Sequence, residues 1–402
     1  MLPDGWRRTT LGDIGSVKSG STPARSQHDR YFVDGKWPWV KTMDLTNSEI
    51  LTTDEVITDA ALAESSCRLF PAGTVLVAMY GGFKQIGRTG LLREKSAVNQ
   101  AISAIDIERD QADPEFVLHW LNGSVETWKN YAASSRKDPN ITRENVCEFP
   151  VILPTLVEQR RIAHILSTWD QAIATTERLL ANTRNCVEIL SNALLTGRKR
   201  FDGHAAWQSK PLSEMICESR VVGSGGDVAK KITVKLYGKG VVGKSDKRAG
   251  SESTQYYRRS SGQFIYSKLD FLNGAFGRIP ASLDGYESTL DLPAFDFLEG
   301  IDPRWFLQYV SREAFYTGHL GLANGGRKAR RVNPKDLLRI CVPTPCLKEQ
   351  TRIADAIEAA LSAVSIQERH LTLMRQEKSA LMSQLLTGKR RVRLPADEAE
   401  PA

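Results

Sequence analysis

The chain of 402 residues is 41% hydrophobic and 25% charged, a globular balance spread over more length than one ordinary core holds, so two to three domains are expected. No run of about 18 apolar residues occurs, which argues against a membrane-spanning helix. The opening MLPDGWRRTTLGDIG lacks the apolar core of a signal peptide, which points to the cytoplasm. The net charge of +7 permits a polyanion partner without requiring one.

Residues 1–150 read as a mixed α/β body. An opening strand with Trp6 and Leu11 precedes strands in PWVKTMDL and GTVLVAMYG, and PEFVLHWLNGSVETWKNYA has helical periodicity. A long helix follows, with Thr155 and Glu158 forming a capping box at its start. Ile162, Leu166, Trp169, Ile173, Thr176, Leu180, Thr183, Val187, Leu190 and Leu194 recur in alternating steps of four and three, a coiled-coil seam. Gly197 stands where a C-cap glycine belongs. Arg198, Lys199 and Arg200 suit the negative helix end or a phosphate. Such a helix of roughly 34 residues would be about 50 Å long.

Residues 201–340 repeat the plan. AWQSKPLSEM echoes the opening strand through Trp207 and Leu212, KITVKLYG and GQFIYSKLDF read as strands, and PRWFLQYVSREAFYTGHL reads as a helix. The second long helix carries Ile353, Ile357, Ala360, Val364, Gln367, Leu371, Met374, Lys378, Leu381 and Leu385 in the same four-three steps. Glu158-Gln159 and Glu349-Gln350 are 191 residues apart, as are the two Leu-Leu-Thr-Gly ends at Gly197 and Gly388, so the helices align without a gap. Lys389, Arg390 and Arg391 match the first basic cluster. The polar seam positions (Thr176, Thr183, Gln367, Lys378) fit helices that pair with each other and leave a face for partner helices. The plainer alternative is that each helix packs on its own body.

These features resemble the specificity subunits of type I restriction–modification systems. The resemblance rests on the Pro154-to-Ile162 and Pro343-to-Ile353 turns into the helices, on the Leu-Leu-Thr-Gly ends, on Gly81-Gly82 with Ile86-Gly87-Arg88 and Val98-Asn99-Gln100-Ala101, and on Asn273-Gly274-Ala275-Phe276-Gly277. It implies an α/β fold of two mixed target recognition domains, residues 1–153 and 201–344. Two helical regions, 154–200 and 345–393, would separate them and pair as an antiparallel coiled coil with a pseudo-twofold internal repeat. A disordered tail, 394–402, would follow. Each domain would read half of a split sequence in double-stranded DNA, and the helices would set the gap. Two methyltransferase subunits would dock on the helices, and motor-nuclease subunits would complete the complex. The chain itself would hold no cofactor, since S-adenosylmethionine, ATP and magnesium belong to the partners.

The residues themselves agree that chemistry is lacking. An adenine methyltransferase needs an Asn/Asp-Pro-Pro-aromatic motif, and Asp138-Pro139-Asn140 fails it. The six cysteines (Cys67, Cys147, Cys186, Cys217, Cys341, Cys346) contain no C-x-x-C pair, so no metal site is expected and all six are expected to be reduced and structural. Gly238 to Ser245 matches the phosphate-binding pattern GxxxxGKS, yet the residues after it form a poor helix. The competing readings are therefore a P-loop NTPase with a coiled-coil arm and a coiled-coil adaptor that binds no nucleic acid. Base and phosphate contacts need Arg, Lys, Asn or Gln on loops. Candidates in the first body are Lys41, Lys84, Gln85, Arg88, Arg136 and Lys137. In the second they are Lys239, Lys244, Arg278, Arg327, Lys328, Arg330 and Arg331. The candidate coiled-coil and partner interface is Ile162, Leu166, Trp169, Ile173, Leu180, Val187, Leu190 and Leu194 with Ile353, Ile357, Val364, Leu371, Met374, Leu381 and Leu385.

Overall fold

A computed structural model describes residues 2–82, 85–132, 140–203, 205–244, 250–318 and 331–393. The chain divides into two compact units, Met1–Arg178 with Arg369–Ala402, and Leu179–Glu368. Each unit takes in the start of one long helix and the end of the other.

In the first unit a five-stranded sheet runs in the order Gly15–Ser19, Ile102–Ile107, Val75–Ala78, Thr89–Leu92, Ser48–Ile50. The apolar run of Val75–Ala78 is buried at every position, as a strand covered on both faces requires. Glu55–Ile57, Trp37–Val40 and Ala97–Val98 form a second, three-stranded sheet. The helical stretch breaks in two, Pro114–Gly123 and Val125–Ala132, where Ser124 turns its hydroxyl back onto the Trp120 carbonyl at 2.8 Å. Asp113 caps the first piece by accepting the Phe116 amide, and Trp128 in the second stacks on Phe149 at 3.7 Å.

The second unit keeps the same four-strand order: Ile216–Ser219, Ala294–Phe297, Phe264–Tyr266, Phe276–Arg278. Its helical stretch also breaks in two, Pro303–Val310 and Glu313–Gly318. The filling differs. Aliphatic side chains such as Val75, Val77, Leu91 and Ile105 pack in the first core, whereas Phe264, Tyr266, Phe271, Phe276, Phe295 and Phe306 pack in the second.

The opening strands land where the sequence places them. Arg7–Thr10 pairs antiparallel with Pro150–Leu153, and Gln208–Pro211 with Cys341–Thr344. Leu11 and Leu212, just after each, are fully buried.

Both long helices are longer than the roughly 34 residues expected. Leu156–Leu195 and Leu347–Leu386 have 40 residues each, or about 60 Å at 1.5 Å per residue. Every position of both four-three seams is buried or half-buried, the polar ones included. Thr176 and Thr183 satisfy their hydroxyls within the helix, on the Ala172 and Leu179 carbonyls at 2.8 Å. Lys378 pairs with Asp170. The pairing is antiparallel within each unit. In the first, Asp170 meets Lys378 and Glu177 meets Arg375. In the second, Arg184 meets Glu368, and Leu190 and Leu194 share a core with Ile357 and Ile353.

The alternative packing reading also holds at the helix ends. Ile162, Ala163, Leu166 and Leu385 belong to the first body's core, and Leu194, Ile353 and Ile357 to the second's. None of the described helices is long and apolar enough to cross a membrane.

Candidate nucleic-acid interface

Each body is closed by the same clasp. Glu158, in the first turn of its helix, is buried and accepts from the Trp6 indole (3.2 Å) and from Arg391 (2.8 and 2.9 Å). Glu349 is likewise buried and accepts from the Trp207 indole (2.9 Å) and from Arg200 (2.8 and 3.0 Å). The adjacent glutamines are duplicated as well. Gln159 accepts the Asp113 amide and donates to the Pro154 carbonyl. Gln350 accepts the Asp302 amide and donates to the Pro345 carbonyl. Each Glu-Gln pair thus joins the opening strand, the long helix and the N-terminus of the body's own helix. Gly388 and Gly197 end the helices at φ +72° and +73°, where a Cβ would lie 3.2 Å from Trp6 and Trp207 respectively.

This corrects two sequence assignments. Arg200 and Arg391 do not wait at a helix end for phosphate, because buried carboxylates hold them. Glu158 does more than cap its helix, although its capping bonds with Thr155 are present at 3.3 and 3.4 Å. The 191-residue offset between Arg200 and Arg391 was the available signal, since it is the offset of the two glutamates.

The candidate contacts fall into distinct settings. Lys41 is not a free cation. It follows the strand Trp37–Val40 with its ammonium on Glu55 at 2.8 Å and Asp54 at 3.4 Å, and its pKa is raised chiefly by the Glu55 bond. Arg25, and then Lys41, hold Glu55 down at about 2. Gln85 and Arg88 lie in the connection between Val75–Ala78 and Thr89–Leu92. Gly81, Gly82 and Gly87 there have positive φ, and Ile86 and Gly87 anchor the base against the core. The Gln85 amide reaches the Met43 sulfur at 3.4 Å, so this loop and the turn after Lys41 share one surface. Lys84, Arg136 and Lys137 lie outside the described residues, as do Arg327, Lys328 and Arg330 and the tail 394–402.

In the second unit Lys239 is exposed at the tip of a two-stranded hairpin, Ile232–Val234 with Val241–Gly243, and Lys244 follows it. The described part of the GxxxxGKS match is thus a hairpin turn and a strand, not a strand leading into a helix, which removes the geometry a P-loop needs. Arg278 is exposed at the end of its strand, donating to the Gly262 carbonyl at 3.3 Å. Gly277 brings that strand against the hairpin, since a Cβ there would sit 2.9 Å from Val241. Lys239, Lys244 and Arg278 therefore lie on elements packed together, and Arg331 is exposed elsewhere in the same unit.

No disulfide joins the six cysteines; Cys67 is buried and Cys147 half-buried, whereas Cys186, Cys217, Cys341 and Cys346 are exposed, against the core positions a structural role would favour. Among the described residues no cluster of His, Cys, Asp and Glu is arranged to hold a metal.

Residues 3–182 match the family model for the type I restriction modification DNA specificity domain. The MjaIX specificity subunit of Methanocaldococcus jannaschii is 29% identical over 182 residues, 44% of this chain and 40% of that protein. The EcoR124I/EcoR124II specificity subunit of Escherichia coli is 22% identical over 163 residues, again 40% of that protein. The match thus spans about two fifths of these two relatives. The putative MjaX specificity subunit of M. jannaschii aligns over 98% of this chain and 95% of its own length, at 21% identity. Residues 3–182 thus carry the likeness to the type I DNA specificity domain, and the chain as a whole is similar to type I specificity subunits. Solved structures show the same fold. The HsdS subunit from Thermoanaerobacter tengcongensis superposes with a TM-score of 0.54, covering 97% of this chain and 98% of that one at 18% identity. A chain from a structure describing assembly and conformational transition of the type I R-M system gives 0.62, at 97% and 100% coverage and 18% identity.

The seam residues named from sequence are buried or half-buried within the chain. The large apolar side chains left exposed on the long helices are Leu179 and Ile189 on the first, and Leu347, Leu361, Ile366 and Leu373 on the second.

Proposed function

We propose that the chain is the DNA-reading subunit of a type I restriction–modification complex and performs no catalysis itself. The observation that carries this is the duplicated clasp. Two bodies with one strand order, but different cores and different exposed loops, are each locked to a long helix by the same Trp–Glu–Arg set. Such a frame locks each of two divergent readers to its own long helix. Each body reads half of a bipartite target, through Gln85 and Arg88 in the first and Lys239, Lys244, Arg278 and Arg331 in the second, together with Lys84, Arg136, Lys137, Arg327, Lys328 and Arg330, which lie outside the described residues. The helices set the spacer. Methyltransferase subunits dock on the outward apolar side chains Leu179, Ile189, Leu361, Ile366 and Leu373. S-adenosylmethionine, ATP and magnesium are bound by the partners, in the cytoplasm.

The test is to map methylated adenines in cells carrying the chain with its methyltransferase subunit, before and after a seven-residue insertion near Thr176. A heptad keeps the seam in register and adds about 10 Å to the first helix. The expected result is an unchanged pair of half-sites with an altered gap. Methylation without a two-part motif, or an unchanged gap, would refute the reading.

A further inference from the structure

We propose that Leu236 and Tyr237, at the tip of the second body's hairpin, enter a groove of the DNA half-site and touch base edges. This rests on the DNA-reading function above. Three described non-glycine residues have positive φ: Asp34, Asn47 and Tyr237. Asp and Asn tolerate that region through short polar side chains, whereas a tyrosine there is strained and calls for a reason. Packing supplies none, because Tyr237 is 69% exposed. The backbone nonetheless fixes it. Its amide donates to the Asn273 carbonyl at 2.9 Å, and the Gly238 amide to the Gly274 carbonyl at 2.9 Å. Gly274 permits that approach, since a Cβ there would sit 3.3 Å from the Tyr237 Cα. The fold thus holds an aromatic ring outward in a conformation its residue type disfavours.

The surroundings identify the partner as nucleic acid and not an apolar protein face. Between Asp227 and Asp246 the chain carries five lysines and no carboxylate. Lys235 and Lys239 flank the tip and are exposed. A two-stranded ribbon is one of the shapes the major groove admits. The side chains have complementary uses there. Leu236 and the tyrosine ring suit thymine methyls, the phenol can donate or accept at a base edge, and the lysines suit the flanking phosphates. A Cβ at Gly238 or Gly240 would meet no described atom within 4 Å, so the tip beside Tyr237 is open among the described residues.

The test uses the chain co-purified with its methyltransferase subunit and a pool of 30-base-pair duplexes with randomised centres, selected and sequenced. Tyr237→Gly suits the left-handed backbone, so the fold should be at least as stable by thermal melting. The expected result is that Tyr237→Gly binds the wild-type consensus about tenfold more weakly. It should also lose sequence information in one half-site only, with the salt dependence unchanged. Lys239→Ala should weaken every duplex alike and lower the salt slope by about one. Tyr237→Gly selecting the wild-type motif with wild-type affinity would overturn the wedge while leaving the DNA-reading function intact. A wild-type complex that enriches no sequence would overturn both.

Discussion

Replacing Glu158 with alanine tests the clasp at its centre. The substitution strips the Trp6 indole N–H, in a side chain only 7% exposed, of its acceptor, and a buried donor left unmade costs about 1–2 kcal/mol. It also removes two charge-assisted bonds to Arg391. That side chain is 48% exposed, so water offsets part of the loss and about 1 kcal/mol remains. Loss of the capping bonds with Thr155 adds about 0.5 kcal/mol. The sum is about 3 kcal/mol. Two units need not unfold together, so the readout is local hydrogen exchange instead of a single melting curve. Opening of the Arg7–Thr10 and Pro150–Leu153 pair should become about 150-fold more frequent. The Gln208–Pro211 and Cys341–Thr344 pair should not change. Glu349→Ala should reverse the pattern with a smaller amplitude, because Trp207 is half-buried and can hydrate. If Glu158→Ala protects the first strand pair as well as Glu188→Ala, on an exposed helix face, the clasp holds nothing together.

The C-cap glycines should rank by what stands opposite them. An alanine Cβ at Gly388 would lie 2.6 Å from Pro3, whereas at Gly197 the nearest atom is Trp207 at 3.2 Å. Both variants strain a positive φ, so each should lower stability by about 1 kcal/mol or more, with Gly388→Ala the worse in urea titration. His119 should make the first unit acid-sensitive. Its ring is buried, with one nitrogen 3.1 Å from Ser167 and the other 3.9 Å from Asp170, and Glu115 and Lys378 nearby. Burial, only partly opposed by Asp170, pulls its pKa down to about 4 from 6.5. The folded form therefore favours the neutral ring. Stability is intact above pH 6.5 and falls as pH drops toward 4, by about 2 kcal/mol at pH 5. His119→Gln should remove that contribution from the urea midpoint between pH 7 and 5, and an unaltered pH profile would exclude it.

The helices and the repeat were legible because their signals are local and periodic. The four-three spacing of Ile162 to Leu194 and Ile353 to Leu385 depends on 3.6 residues per turn, and it appears as burial at every seam position. The helix break at Ser124 was less legible. PEFVLHWLNGSVETWKNYA keeps its apolar period through the break, and a side-chain bond to the backbone decides where the helix stops. The clasp was half legible. In the sequence Trp6 stands out as the echo of Trp207, Glu158 as a cap and Arg391 as a helix-end cation, but nothing joins them, since sequence gives no distance between positions more than 150 residues apart. Tyr237 was invisible as a site because a backbone dihedral, not its residue type, marks it.

Lys41 shows the same limit from the opposite side, and it yields a sharper test of what a DNA contact is. Sequence presents it as a cation beside a strand, equal to Lys239. The structure gives it two carboxylates and a half-buried stem, whereas Lys239 stands exposed on a hairpin tip. A phosphate could recruit Lys41 only by drawing it from Glu55, leaving a part-buried carboxylate with Arg25 alone. That exchange returns little, because a phosphate contact gains largely by releasing counterions and an ammonium already neutralised by carboxylates adds little to that release. Lys41→Met should therefore leave the salt slope of DNA binding unchanged. It should weaken the first unit instead, most clearly near pH 7 where Glu55 is ionised, and less as pH falls through Glu55's own value of about 2. Lys239→Ala should do the reverse, lowering the slope by about one without altering stability. A Lys41→Met complex whose slope drops by the same amount would mean that the Glu55 pair opens on binding and that Lys41 belongs to the interface after all.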